Sequence, residues 1–197
     1  MSPDDRSLIQ AFQQGDEFAF VSLYNRHKEG VFIFCTKMLL DASQAEDMMQ
    51  ETFLRVYENK DRLLNAGAFK SWLFTIARNQ CLNVLRRRHR QEPLTEQHQT
   101  APLAPQELPS AQLEKSEQVA LVNQILQELS PAYREVLILR EYQNLSYEEI
   151  ASITRSTLSA VKSRLFKARR KMADLMAPKM QSPPAVASPK VESPPPP

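Results

Sequence analysis

LSYEEIASITRSTLSAVKSRLFKARRKM, residues 145–172, is the stretch whose reading decides the fold. Ser146 with Glu149 is a capping box, so a helix starts at Tyr147 and runs to about Ile153. A tight turn through Thr154, Arg155 and Ser156 follows, and Thr157 can cap a second, longer helix. On that helix Val161, Leu165, Ala168 and Met172 recur at helical spacing and form one apolar stripe. Ser159, Ser163, Phe166 and Arg170 fall on the opposite side, with Lys162 and Lys167 at its two edges. Short helix, tight turn and long amphipathic helix make a helix-turn-helix.

A basic face on an amphipathic helix is ordinarily just solvated. Two features favour a polyanion here. Between Arg155 and Met172 there is no acid, while Arg155, Lys162, Arg164, Lys167, Arg169, Arg170 and Lys171 all fall within it. Phe166, in the middle of the polar face, is poorly placed for water but well placed for a thymine methyl in a major groove. Arg164, Arg169 and Lys171 flank the face and suit phosphate contacts.

Ahead of this motif, Ser130–Pro131 reads as an N-cap with Pro at the first helical position. Helical patterning reaches back to about Gln112. Before that, Pro93, Pro102, Pro105 and Pro109 lie among Gln, Thr and Ala, the composition of a flexible linker. After Ala177 the chain becomes a Pro-rich tail ending SPPPP, which cannot bury a core. Almost everything in residues 1–90 has helical periodicity: about Pro3–Gln14 closed by Gly15, then Asp16 capping a helix to Leu40 with a bend at Gly30, then Ser43–Glu58 and Ala68–Arg90. The fold class is therefore all-α, two small helical domains joined by a flexible linker. The domains are expected at 1–90 and 113–177, with linker 91–112 and a disordered tail 178–197.

In AEDMMQETFLRVYE, residues 45–58, Ala45, Met49, Thr52 and Val56 share one face, and Asp47, Gln50, Glu51 and Leu54 share the other. A leucine centred on an acidic face is either a docking anchor or one of the solitary exposed leucines every protein carries. The next helix places Phe69, Trp72, Leu73, Ile76 and Val84 as core and ends in RRRHR, residues 86–90. Cations suit a helix C-terminus, but one or two satisfy that effect, so Arg86, Arg87, Arg88 and Arg90 point to phosphate.

Bulk numbers exclude much else. Net charge is only +2, so the signal for nucleic acid lies in distribution rather than in total. Three glycines leave no Gly-rich phosphate loop and argue against hairpin-rich folds. Cys35 and Cys81 sit in apolar surroundings, the pattern of buried inert thiols in a reducing compartment. No signal peptide and no membrane-length apolar run is visible, so a cytoplasmic protein without membrane insertion is expected. His27, His89 and His98 form no metal spacing or nucleophile–base pair, so no cofactor, metal or catalytic residue is expected and the chain is read as not an enzyme.

Taken together, AEDMMQETFLRVY, FKSWLFTIARNQ and LSYEEIA…VKSRLFKAR resemble, in that order, the signature stretches of the sigma-70 family of transcription initiation factors. The likeness is to its small two-domain extracytoplasmic function (ECF) members and covers roughly residues 4–90 and 115–176. It implies a sigma factor that binds core RNA polymerase, directs it to promoters through −10 and −35 elements and promotes melting, in a stress or envelope response. By position it implies that Asp47, Gln50, Glu51 and Leu54 dock on the clamp helices of the polymerase's largest subunit. The loop Asp61–Ala68 would capture a flipped base. Arg78 and Asn79, with Arg86, Arg87 and Arg88, would face −10 DNA. Ser159, Lys162, Ser163, Arg164, Phe166, Lys167 and Arg170 would face −35 DNA. An anti-sigma factor is an implied partner. The chain departs from the family at the turn, where Arg155 replaces the usual Gly and Ser156 the usual apolar residue. A dimeric helix-turn-helix regulator is the alternative reading, and would bind a palindromic site without polymerase.

Overall fold

A computed structural model describes residues 4–91 and 110–180. The N-terminal domain is built from α1 (Asp5–Gln13), α2 (Glu17–Leu39), α3 (Ala42–Glu58) and α4 (Phe69–Gln91). Each of the first three starts where a carboxylate can take orphan amides. Asp4 accepts from Ser7 N–H, Asp16 from Phe18 and Ala19 N–H, and Asp41 from Gln44 N–H. Gly15, at φ +101°, closes α1: its N–H reaches Phe12 O and the next amide, Asp16, reaches Ala11 O. Those two bonds are the Schellman pattern.

The buried faces are those the periodicity marks. Ala45, Thr52 and Val56 are buried on α3 with Met49 packed beside them, and Phe12, Leu23, Phe34, Phe53, Phe69 and Phe74 fill the middle. Trp72, expected in the core, is only half-buried and packs against it beside Phe69. Cys35 and Cys81 are buried and free. The hydrogen bond that the Cys81 thiol donates to Cys35, together with burial, pushes that thiol far up, so it is an inert thiol.

The C-terminal domain comprises α5 (Ser110–Glu128), α6 (Pro131–Leu137), a π-helical turn (Ile138–Tyr142), α7 (Tyr147–Thr154) and α8 (Leu158–Met180). α5 begins inside the span expected as linker, directly after Pro109, where helix-forming residues resume. α8 runs past the expected stop at Ala177, through Pro178 to Met180. Pro131 sits at the start of α6 as expected, but Ser130 makes no side-chain cap bond. Both halves of the Ser146–Glu149 capping box are present, and Thr157 accepts from Ala160 N–H at 3.2 Å. No strand occurs among the described residues. Residues 92–109 and 181–197, the bulk of the expected linker and tail, lie outside them.

The domains pack together, and their buried residues form one contiguous cluster. α4 lies on α7, while α2 lies on α6 and the π turn. Arg134, buried in α6, donates to Leu126 O, Gln127 O and Leu129 O at the end of α5, and across the boundary to Met38 O of α2 at 2.8 Å. Burial, with Arg88 nearby, lowers its pKa to about 10, so the guanidinium is charged at neutral pH and held by carbonyl dipoles.

Candidate nucleic-acid and polymerase interfaces

The helix-turn-helix places its functional face as helix geometry requires. Val161, Leu165 and Ala168 are buried and Met172 packs beside them, anchoring α8 on α6 and α7. Ser159, Lys162, Ser163, Lys167 and Arg170 are exposed, and Phe166 is 68% exposed between them. Arg164 is half-buried at the rim. Among the described residues, Lys162, Lys167 and Arg170 form no ion pair, so their charge faces solvent undiminished. Arg169 instead reaches back to Glu141 at 2.7 Å, a hydrogen bond that raises its pKa and ties α8 to the π turn.

The turn explains the departure at Arg155. Its backbone is left-handed, φ 50° and ψ 48°, which strains any residue with a Cβ. Arg155 N–H donates to Ser152 O and Ser156 N–H to Ala151 O, the same two bonds that close α1 at Gly15. Ser156 is accommodated by polarity rather than burial: its hydroxyl lies 2.7 Å from that of Thr154, which donates to Ile150 O. The tight turn is thus present without glycine.

On α3, Asp47, Gln50 and Leu54 are exposed, Leu54 at 51%. Glu51 is drawn inward, accepting from Arg55 at 2.8 Å and from Gln80 of α4 at 3.4 Å. Phe18, Val21 and Tyr57 add further exposed apolar surface to the same domain. Between α3 and α4, the 61–68 loop is braced by residues outside every motif. The Gln13 amide donates to Lys60 O and Leu63 O, both at 2.9 Å, and Lys60 Nζ donates to Phe12 O. Leu63 is buried, while Leu64 is 96% exposed. Two short 3-10 turns, Lys60–Arg62 and Ala66–Ala68, flank that exposed tip.

α4 divides its polar residues. Asn79, Arg86 and Arg87 are exposed. Arg88 is engaged within its own domain, donating to Leu39 O at the end of α2 and pairing with Asp41 at 3.4 Å. Arg78 is engaged across the domain boundary: its Nε and Nη2 hold the two carboxylate oxygens of Glu135 at 2.6 and 3.2 Å. The structure therefore brings Asn79, Arg86 and Arg87 to the surface and withholds Arg78 and Arg88. Sequence reasoning missed Gln13, Arg134, Glu135 and Gln143. The available signal was Arg134–Glu135 set against the apolar run that follows, since charges inside a buried stretch need partners.

Among the described residues, no group of His, Cys, Asp or Glu could hold a metal ion, and no helix is long and apolar enough to cross a membrane.

Comparison with known proteins agrees with this architecture domain by domain. The model for Sigma-70 region 2 matches residues 23–91, and that for Sigma-70, region 4 matches residues 120–172. The chain is 32% identical to the RNA polymerase sigma-H factor of Pseudomonas aeruginosa, over 84% of this chain and 90% of that one. It is 29% identical to the ECF RNA polymerase sigma-E factor of Haemophilus influenzae, over 89% and 97%. Among solved structures, the sigma factor RpoE of Bartonella quintana, crystallised with the anti-sigma factor NepR, superposes with a TM-score of 0.67 at 26% identity. That superposition covers 80% of this chain and 96% of that one. CnrH, bound to the cytosolic domain of CnrY, shares the fold with a TM-score of 0.68 at 23% identity over 90% and 99%. With both sigma regions matched in order on a two-domain helical fold, the chain belongs to the sigma-70 family of RNA polymerase sigma factors, in its extracytoplasmic function group.

Proposed function

We propose that this sigma factor divides promoter recognition between its domains: α8 reads the −35 element, and α4 with the 61–68 loop reads and opens the −10 element. The observation that carries this reading is the face of α8. Ser159, Lys162, Ser163, Phe166, Lys167 and Arg170 form one exposed surface without an internal counter-ion, on a helix anchored by its opposite stripe. Such a surface fits a major groove, with the lysines and Arg170 offered to phosphates and base edges and Phe166 to a thymine methyl. Arg86, Arg87 and Asn79 supply the corresponding contacts on α4. The exposed Leu64 tip, on a loop stapled by Gln13 and Lys60, supports capture of an unstacked base: a rigid frame holds an exposed end.

Docking on the clamp helices of the polymerase's largest subunit falls to Asp47, Gln50 and Leu54, with Glu51 completing the acidic rim. Catalysis belongs to the polymerase, and this chain supplies recognition and melting in the cytoplasm, in a stress or envelope response. An anti-sigma factor is a fitting partner, since the similar RpoE was crystallised with one. The test is transcription: purified protein is added to bacterial core polymerase on a library of promoter fragments. Promoter-specific transcripts are expected, and Leu54→Asp should abolish most of them without loss of helix content. Specific DNA binding without any polymerase-dependent transcript would refute the reading.

A further inference from the structure

The 61–68 loop is held by a helix that lies outside the matched family segment. α1 ends at Gln13, ahead of residues 23–91, which match Sigma-70 region 2. An amide side chain carries two N–H donors, and Gln13 directs both to one limb of the loop. Lys60 O and Leu63 O accept them at 2.9 Å each. Leu63 O belongs to the residue directly before Leu64, the exposed tip. A bond returns at the same point: Lys60 Nζ donates to Phe12 O at 3.2 Å and lies over the Phe12 ring. The other limb meets the opposite end of α1. A Cβ at position 67 would stand 3.4 Å from Arg6 Nη2, and Asn65 caps the Ala66–Ala68 turn by accepting from Gly67 N–H. Arg6 and Gln13 fall on one side of α1, about two turns apart. One short helix therefore meets both limbs, and Leu64 lies between them in the chain.

We propose that Gln13 is a positioning residue for promoter opening: from α1 it fixes the limb that carries Leu64, and so sets how strongly the loop selects the base it receives. The proposal rests on the reading of residues 61–68 as the base-capture site. The physical reason is the cost of ordering. The Lys60–Arg62 turn has three residues, too few to hold its own shape. Its backbone adds Arg62 N–H to Asn59 O, and Leu63 N–H to Lys60 O at a long 3.3 Å. A limb left free would have to be ordered when the base arrives, and that cost would be subtracted from what stacking on the base returns. Gln13 meets it in advance, through the fold. It touches no nucleotide in this scheme and acts only through Lys60 and Leu63. Its loss should blunt discrimination at one promoter position and leave phosphate contacts alone.

Gln13→Met tests this in the full chain, since methionine keeps an unbranched stem and a similar helix propensity but has no donor. Hydrogen exchange read by mass spectrometry should quicken about tenfold across the amides of residues 60–68, with α3 and α4 unchanged. The second readout is transcription with core polymerase from a promoter fragment carrying one abasic site, scanned along the non-template strand of the −10 element. The unaltered chain should lose about tenfold in transcript at one position, where the captured base is missing. In Gln13→Met that loss should shrink to about twofold, because the intact promoter no longer gains from the base. A merely destabilised protein would lower transcription from every template alike and keep the larger ratio. Lys60→Met, which removes the return bond to Phe12 O, should move both readouts in the same direction and decides the matter if Gln13→Met does not fold. Unchanged exchange in Gln13→Met would overturn the brace. Faster exchange with the larger ratio intact would overturn the positioning role. The base-capture reading fails separately: no position in the scan would then stand out for the unaltered chain, while the exchange response persists.

Discussion

α4 and α8 are the two helices proposed to face DNA and both carry rows of cations, yet the protein treats the two rows differently. On α8, Lys162, Lys167 and Arg170 are exposed and unpaired among the described residues. On α4, Arg78 is held by Glu135 and Arg88 by Leu39 O and Asp41. Charge pattern in sequence thus says nothing about whether the charge is free. An exposed lysine is solvated and available at once. A bidentate arginine in a partly buried pair is committed, and releasing it leaves a buried carboxylate behind.

The largest effect should come from the residue that joins the two domains at their base. Arg134→Met removes donors to four carbonyls, Met38 O among them, and should lower unfolding free energy by about 3 kcal/mol in urea denaturation. A change under about 1 kcal/mol would mean that solvent replaces those bonds and that the domains are only loosely joined.

Next comes a direct contrast of the two rows. Lys162→Ala should weaken duplex binding by roughly tenfold at low salt and reduce the salt slope by about 0.9. In the full chain Arg78→Ala should leave both nearly unchanged, because Glu135 already holds that side chain. Once Glu135→Gln is present, Arg78→Ala should cost about as much as Lys162→Ala. Equal losses for the two single variants would erase the distinction between an open and an occupied row.

A smaller contrast separates two helix ends built by the same pair of hydrogen bonds. Gly15→Ala, at φ +101°, should destabilise by roughly 1–2 kcal/mol. Arg155→Gly relieves left-handed strain but frees the unfolded chain, so thermal melting should show a net gain of about 0.5 kcal/mol. The same variant should bind DNA more weakly at low salt, since the exposed Arg155 stands just ahead of α8. Undiminished DNA affinity would reduce its role to the strained turn alone.

Least of all should follow from Arg169→Ala. Both it and Glu141 are about half exposed, and such pairs contribute under roughly 0.5 kcal/mol. A larger loss in thermal melting would show that the α8–π turn tie carries more than its exposure suggests.

Much of this was legible in sequence because it is local. Capping boxes, apolar spacing and proline placement act within a few residues, so α7, the turn and α8 could be read from residues 145–172, and the acidic face of α3 from Ala45–Val56. Boundaries drifted at α5, which starts at Ser110 directly after Pro109, and at α8, which continues through Pro178 to Met180. The left-handed Arg155 was legible only as an anomaly, since the amide bonds that fix its backbone belong to the folded turn.

The sequence by itself determined the helices, their buried and exposed faces, the two-domain order and the family. Tertiary structure alone decided which cations are free. Glu135 lies 57 residues from Arg78, Gln143 lies 113 from Gly30, and Arg134 lies 96 from Met38. No periodicity encodes such pairs, because they exist only when α4 and α2 are packed on α7, α6 and the π turn. Burial then does the rest, since a desolvated charge must take whatever partner the packing brings within reach.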